Sequence, residues 1–161
     1  MFLELESVFN TPGLSEPFAF RLPESYDALP FAQPPEISGQ AKNRAGVVTL
    51  EGTAHIRLRA SCDRCAARFD YAADTPFNHT LVLSLNEGDS GDLILLDGFR
   101  FSPDDLIWED IVLSLPPKTL CQPGCKGLCP RCGKNLNEGP CACAPEGDPR
   151  LAALRQLLDH S

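Results

Sequence analysis

Histidine is scarce in this chain of 161 residues: His55, His79 and His160 stand far apart, and no H-x-E or H-E-x-x-H stretch occurs. Catalytic zinc keeps an open coordination position and normally a general base beside it, so this scarcity argues against zinc enzymology. His55 and His79 read instead as part of a strand's polar face and as a half-buried ring with a partner. Positive charge is also in deficit, with 14 Lys and Arg against 22 Asp and Glu, a net charge of −8 and a pI near 4.8. A protein that coats RNA or DNA through its overall field needs the opposite balance.

Long apolar runs are missing too, the longest being a handful of residues where a span needs about 18 or more. "MFLELESVFNTPGL" carries Glu4 and Glu6 in place of a basic leader, and no apolar stretch follows it. The expectation is a soluble cytoplasmic protein without a membrane partner. The length suits one domain with a real core plus an appendage. Fifteen prolines and twelve glycines announce many turns, while 43% hydrophobic residues is ordinary globular content.

Residues 1–35 are interrupted by Pro12, Pro17, Pro23, Pro30, Pro34 and Pro35, leaving an extended strand near 2–9 and a short turn of helix as the expectation. From 47 to 60, "VVTLEGTAHIRLRA" alternates, with Val48, Leu50, Ala54, Ile56, Leu58 and Ala60 on one side and Thr49, Glu51, Thr53, His55, Arg57 and Arg59 on the other. This predicts a half-buried strand that ends at Cys62, with "EISGQAKNRAG" as its hairpin partner turning near residues 43–46. A second alternation, 77–85, places Phe77, His79, Leu81, Leu83 and Leu85 on one face and predicts an antiparallel neighbour. "LILLDGFRF" reads as one more strand with an Asp-Gly turn. At "SPDDLIWEDIVLSLPPK" the period becomes helical: Ser102 as cap, Pro103 in the first position, Asp104 and Asp105 at the positive end, and Pro116-Pro117 as the stop. Its stripe is Ile107, Ile111 and Leu115 with Trp108 and Val112. A short terminal helix is predicted from Asp148, with Leu151, Leu154 and Leu158 on one face.

Eight cysteines form four close pairs: Cys62/Cys65, Cys121/Cys125, Cys129/Cys132 and Cys141/Cys143. Under cytoplasmic reducing conditions paired thiols serve metals or redox chemistry, and not stable disulfides. Pairs at this spacing aim two thiolates at one ion, and eight sulfurs complete two tetrahedral four-cysteine zinc sites. One partition joins Cys62, Cys65, Cys121 and Cys125, leaving Cys129, Cys132, Cys141 and Cys143 as a local site. The other joins Cys62/Cys65 to Cys129/Cys132 and leaves Cys121, Cys125, Cys141 and Cys143. Reach favours the first, because the helix at 103–115 returns Cys121 to the strand end. Two structural zinc ions are therefore the expected cofactors. In zinc-finger peptides such binding is worth about 10 to 16 kcal/mol, so the tail, poor in apolar residues, is expected to need its metal. The alternative is a thiol redox enzyme or redox sensor using a CxxC pair, which would want a βαβ setting that the antiparallel alternation does not supply.

Positive charge gathers around these pairs. Arg57, Arg59, Arg64, Arg68, Lys118, Lys126, Arg131 and Lys134 are eight of the fourteen basic residues, with Asp63 the one acid among them. Two four-thiolate zinc sites carry a formal −4, so part of this charge is compensation. The surplus is compatible with a small phosphate-facing patch without demanding one, so these eight are candidate RNA-facing residues and pure compensation of the sulfur charge is the competing reading.

"LIWEDIVLSLPPKTLC", "CKGLCPRCGKNLNEGPCAC", "DPRLAALRQLL" and "CDRCAARF" together resemble the YceD family, the large ribosomal RNA subunit accumulation proteins, over roughly residues 47 to 158. The resemblance implies a non-catalytic factor in synthesis, processing or stability of large-subunit rRNA. The acidic pI fits a factor that touches large-subunit rRNA through one basic face or holds a basic ribosomal protein through its acidic one, with no small-molecule substrate. The expected fold is α+β: an antiparallel sheet of about five strands curling toward a barrel, with one packed helix. It divides as a β-rich body at 1–117, a zinc-binding segment at 118–145 packed on it, and a terminal helix at 146–161.

Overall fold

The computed structural model describes residues 1–23, 29–85 and 92–143. Its centre is a five-stranded sheet in which neighbours follow chain order: β2 (Ser15–Arg21), β3 (Glu36–Arg44), β4 (Val47–Ser61), β5 (Arg68–Val82) and β6 (Leu93–Leu95). The first four pair antiparallel, and β6 joins β5 in parallel. β1 (Leu3–Glu4) and β7 (Arg100–Phe101) make a separate two-stranded ladder, and the helices are α1 (Glu6–Asn10) and α2 (Asp104–Ser114). The fold is α+β as expected, but the sheet is open: β2 and β6 do not pair with each other, so no barrel closes.

The alternation read from 47 to 60 is the principle of this core. Val48, Leu50, Ala54 and Ile56 of β4 face the same side as Phe77 and Leu81 of β5 and Ile37 and Ala41 of β3. Val8 of α1 and Ile107 and Ile111 of α2 close over that side, all of them fully buried. The β3–β4 turn lies at the predicted place. Ala45 and Gly46 take φ of 51° and 89°, the left-handed pair that suits a two-residue hairpin. Asn43, buried beside the turn, donates to Val8 O at 2.8 Å and accepts from Gly46 N–H at 2.9 Å, tying α1 to the hairpin.

Gly39 and Gly52 face each other across β3 and β4. A Cβ on Gly52 would stand 2.6 Å from the Phe77 ring, and one on Gly39 2.8 Å from the Phe18 ring. The two rings stack with centroids 6.4 Å apart, so the glycines give the aromatics room to lie flat on the backbone.

Several expectations are corrected. The strand near 2–9 shrinks to two residues because Glu6–Asn10 is helical. The proline-rich start hides β2, whose Pro17 is tolerated because an edge strand can spare a donor. "LILLDGFRF" is broken into β6 and β7, which belong to different sheets. β5 begins at Arg68, well before 77, while Leu83 and Leu85 lie beyond it and are exposed. Ser102 caps nothing: Pro103 occupies the cap position, with no side-chain cap bond. Val112 turns outward, so the buried stripe of α2 is narrower than read. The helix predicted from Asp148 lies outside the described residues.

β3 last pairs with β4 at Glu36–His55, yet β4 and β5 continue together to Ser61–Arg68. The hairpin therefore runs about 20 Å past β3, six residues at roughly 3.4 Å each, flanked by Phe31, which bridges to Leu58. Its turn is the CDRC stretch itself. Among the described residues no helix is long and apolar enough to cross a membrane.

Candidate metal centres

The turn at the ribbon's tip is built so that two sulfurs share one direction. Ala66 N–H donates to Cys62 O at 2.8 Å and Cys62 N–H to Ala67 O at 2.9 Å, and Ala66 takes a left-handed φ of 57° to close the loop. The chain leaving α2 returns to this turn through a reciprocal clasp: Thr119 N–H donates to Asp63 Oδ2 at 2.6 Å, and Asp63 N–H to Thr119 O at 2.9 Å. Cys121 and Cys125 thus face Cys62 and Cys65.

The four sulfurs of Cys62, Cys65, Cys121 and Cys125 lie within 4.8 Å of one another, and so do those of Cys129, Cys132, Cys141 and Cys143. The structure brings the cysteines together in the first of the two partitions. Sulfurs stand 3.7 Å apart for Cys62–Cys125, 3.6 Å for Cys65–Cys121 and 3.4 Å for Cys129–Cys141. A tetrahedral ion with thiolates at ~2.3 Å sets its sulfurs roughly 3.8 Å apart, whereas a disulfide needs about 2.05 Å. All eight thiols are free. Both groups could hold a metal ion, and the soft, four-sulfur donor set suits zinc.

The electrostatics agree. The backbone N–H of Cys121 leads in lowering Cys62 to about 6, and the N–H groups of Cys132 and Arg131 lower Cys129 to about 6. Asn137, whose Nδ2 donates to Cys125 Sγ at 3.3 Å, is the main cause that lowers Cys125. Against this, burial and the neighbouring sulfurs push Cys121 up to about 12, and hydrogen bonding with Cys132 followed by burial pushes Cys143 up to about 12. The inner group therefore contains two thiols that favour the anion, Cys62 and Cys125, and two that resist it, Cys65 and Cys121, while in the outer group Cys129 favours it and Cys143 resists. Four sulfurs this crowded ionise fully only around a cation.

The groups differ in setting. In the inner one Cys62, Cys65 and Cys125 are buried beside Phe69 and Leu120; in the outer one only Cys129 is buried and Cys132 is exposed. The outer loop is shaped by hydrogen bonds: Gly133 N–H to Cys129 O and Cys129 N–H to Lys134 O, both 2.9 Å, with a bridge between Leu128 and Asn135.

The eight basic residues do not form one surface. Arg57, Arg59 and Arg68 share the solvent face of the ribbon, with Asp70 opposite Arg59, and none of the three forms an ion pair with a described residue. Arg64 is used internally, its Nη1 donating to Cys125 O at 2.8 Å, and Lys134 Nζ donates to Pro140 O at 2.9 Å. Lys118, Lys126 and Arg131 are exposed on the cysteine segment. His55 and His79 each meet a carboxylate, Asp74 at 2.7 Å and Asp110 at 2.6 Å, away from the sulfurs. Sequence reasoning missed Asn137 and the Thr119–Asp63 clasp. The asparagines of "NLNEG" signalled a turn but gave no sign of a partner twelve residues upstream.

The family described as "Large ribosomal RNA subunit accumulation protein YceD" matches residues 50–158, a span holding all eight cysteines. "Large ribosomal RNA subunit accumulation protein YCED homolog 1, chloroplastic" of Arabidopsis thaliana is 24% identical over 179 residues, covering 87% of this chain and 54% of that protein. The chain thus spans about half the length of that curated relative. No solved structure matches.

Proposed function

Because the chain belongs to the YceD family, we propose that it is a cytoplasmic, non-catalytic factor that supports accumulation of large-subunit rRNA, with structural zinc in both four-cysteine groups. The observation that carries this reading is the placing of two closed four-sulfur groups at the tip of a ribbon whose solvent face bears Arg57, Arg59 and Arg68. Four thiolates fill a tetrahedral ion and leave no position for substrate, so the metal fastens the chain and activates nothing. These three guanidinium groups, without an ion pair among the described residues, supply the phosphate-facing charge that the acidic whole lacks, and Lys118 and Lys126 extend it. A second reading is favoured by the acid excess outside this region: the acidic remainder holds a basic ribosomal protein beside the RNA.

The test is binding of the zinc-loaded chain to a large-subunit rRNA transcript across a salt series. Replacing Arg57, Arg59 and Arg68 by Glu should weaken binding and lower the salt slope by about 2 to 3, at unchanged zinc content. Unchanged salt-dependent binding would remove the ribbon face from the account. A reversible Cys62–Cys65 or Cys129–Cys132 disulfide in a metal-free native protein would restore the redox reading in its place.

A further inference from the structure

Asn137 belongs to the outer loop, between Cys132 and Cys141, yet its amide serves the inner group. Nδ2 donates to Cys125 Sγ at 3.3 Å, while Oδ1 accepts from Lys126 N–H at 2.8 Å and from Gln122 Nε2 at 3.3 Å. One side chain thus clamps the whole second turn of the inner site from within the other site's loop. We infer that the two four-cysteine groups load as one coupled pair, with Asn137 as the positioning residue that links them; the inference rests on the metal binding proposed above.

The coupling has a structural route in both directions. The outer loop, 133–140, has one large apolar residue, Leu136, and is closed at its ends by the two outer cysteine pairs. Gathering those sulfurs is what presents Asn137 to Cys125. A donor amide at a thiolate stabilises its negative charge, so a loaded outer site strengthens the inner one. In return, the inner site fixes the stretch on which the outer loop rests. Leu128 N–H donates to Arg64 O at 3.0 Å, and Leu136 N–H to Gly127 O at 2.9 Å. Gly127 has φ of +77°, and a Cβ there would stand 3.0 Å from Arg64 O, so the connecting residue must be small for the two turns to meet. Binding free energies coupled in this way are reciprocal.

The experiment is an anaerobic cobalt(II) titration of the reduced full chain, read by sulfur-to-cobalt charge-transfer absorption. The native chain should take up two ions together, with no half-loaded species accumulating. Asn137→Ala should still bind two, now in two separable steps, with inner-site affinity about 10- to 100-fold lower and its charge-transfer band moved to lower energy as the thiolate loses its donor. Asn137→Asp, nearly the same size, should lose more, because it keeps the acceptor for Lys126 N–H but sets a carboxylate against the sulfur. Cys132→Ser should weaken the inner site by a similar factor, and adding Asn137→Ala to it should cost little more, since both act through one contact. Two ions bound with Asn137→Ala and Asn137→Asp indistinguishable from native would overturn the coupling alone, as would strictly additive effects of Asn137→Ala and Cys132→Ser. A native chain that binds no cobalt would overturn the coupling together with the metal reading.

Discussion

The sheet body and the cysteine segment are held by different physics. In the body, Leu50, Ile56, Leu81, Ile107 and Ile111 are sealed from water, and apolar burial at roughly 25 cal/mol per Å² supplies the driving force. Between 118 and 143 only Cys125, Gly127 and Cys129 are buried. That segment cannot pack itself into order; it relies on hydrogen bonds such as those of Thr119, Asn135 and Asn137, and on whatever gathers its sulfurs. One chain therefore contains a part whose order follows from its apolar pattern and a part whose order follows from its donor atoms.

Chelation is the sharpest way to part the two. Removing metal with a strong chelator under reducing conditions should abolish amide-exchange protection through 119–143, while β3, β4 and β5 keep theirs up to about His55. Loss of protection throughout would show that the body leans on the metal as well. A smaller effect with the opposite address is expected from Leu50→Ala, which leaves a cavity in the body and should cost about 2 to 5 kcal/mol in chemical denaturation with two metals still bound. Smaller again is Gly52→Ala: the added methyl would stand 2.5 Å from Ser38 O and 2.9 Å from Gly39 Cα as well as 2.6 Å from the Phe77 ring, so the β3–β4 ladder must shift along with the ring, at about 1 to 3 kcal/mol, visible as a lowered melting temperature with unchanged metal content. If Gly52→Ala instead released metal, the separation between body and tip would be less clean than the geometry indicates.

What the sequence disclosed follows the same division. Period-two alternation marked β4 and its hairpin with β3 because one face of each is buried and the other wet, and cysteine spacing marked both sulfur groups because tetrahedral coordination constrains spacing locally. β2 escaped notice because Pro17 interrupts a strand that survives only by being at an edge, a fact about its neighbours and not its residues. The absence of barrel closure was equally illegible, since nothing in the apolar run of β6 marks the parallel direction in which it joins β5. Asn137 shows the limit most plainly: local sequence announces a turning loop, while its use depends on a sulfur brought near by a fold that only the whole chain determines.

The inner group has one further consequence. Its cysteines come half from the hairpin of the β-rich body and half from beyond α2, so the division expected at residue 117 runs through one four-sulfur group. A protease cut between Leu115 and Lys118 would sever the polypeptide without releasing the pieces, because an ion gripped by Cys62, Cys65, Cys121 and Cys125 would act as a suture. The fragments would part only when that ion was withdrawn.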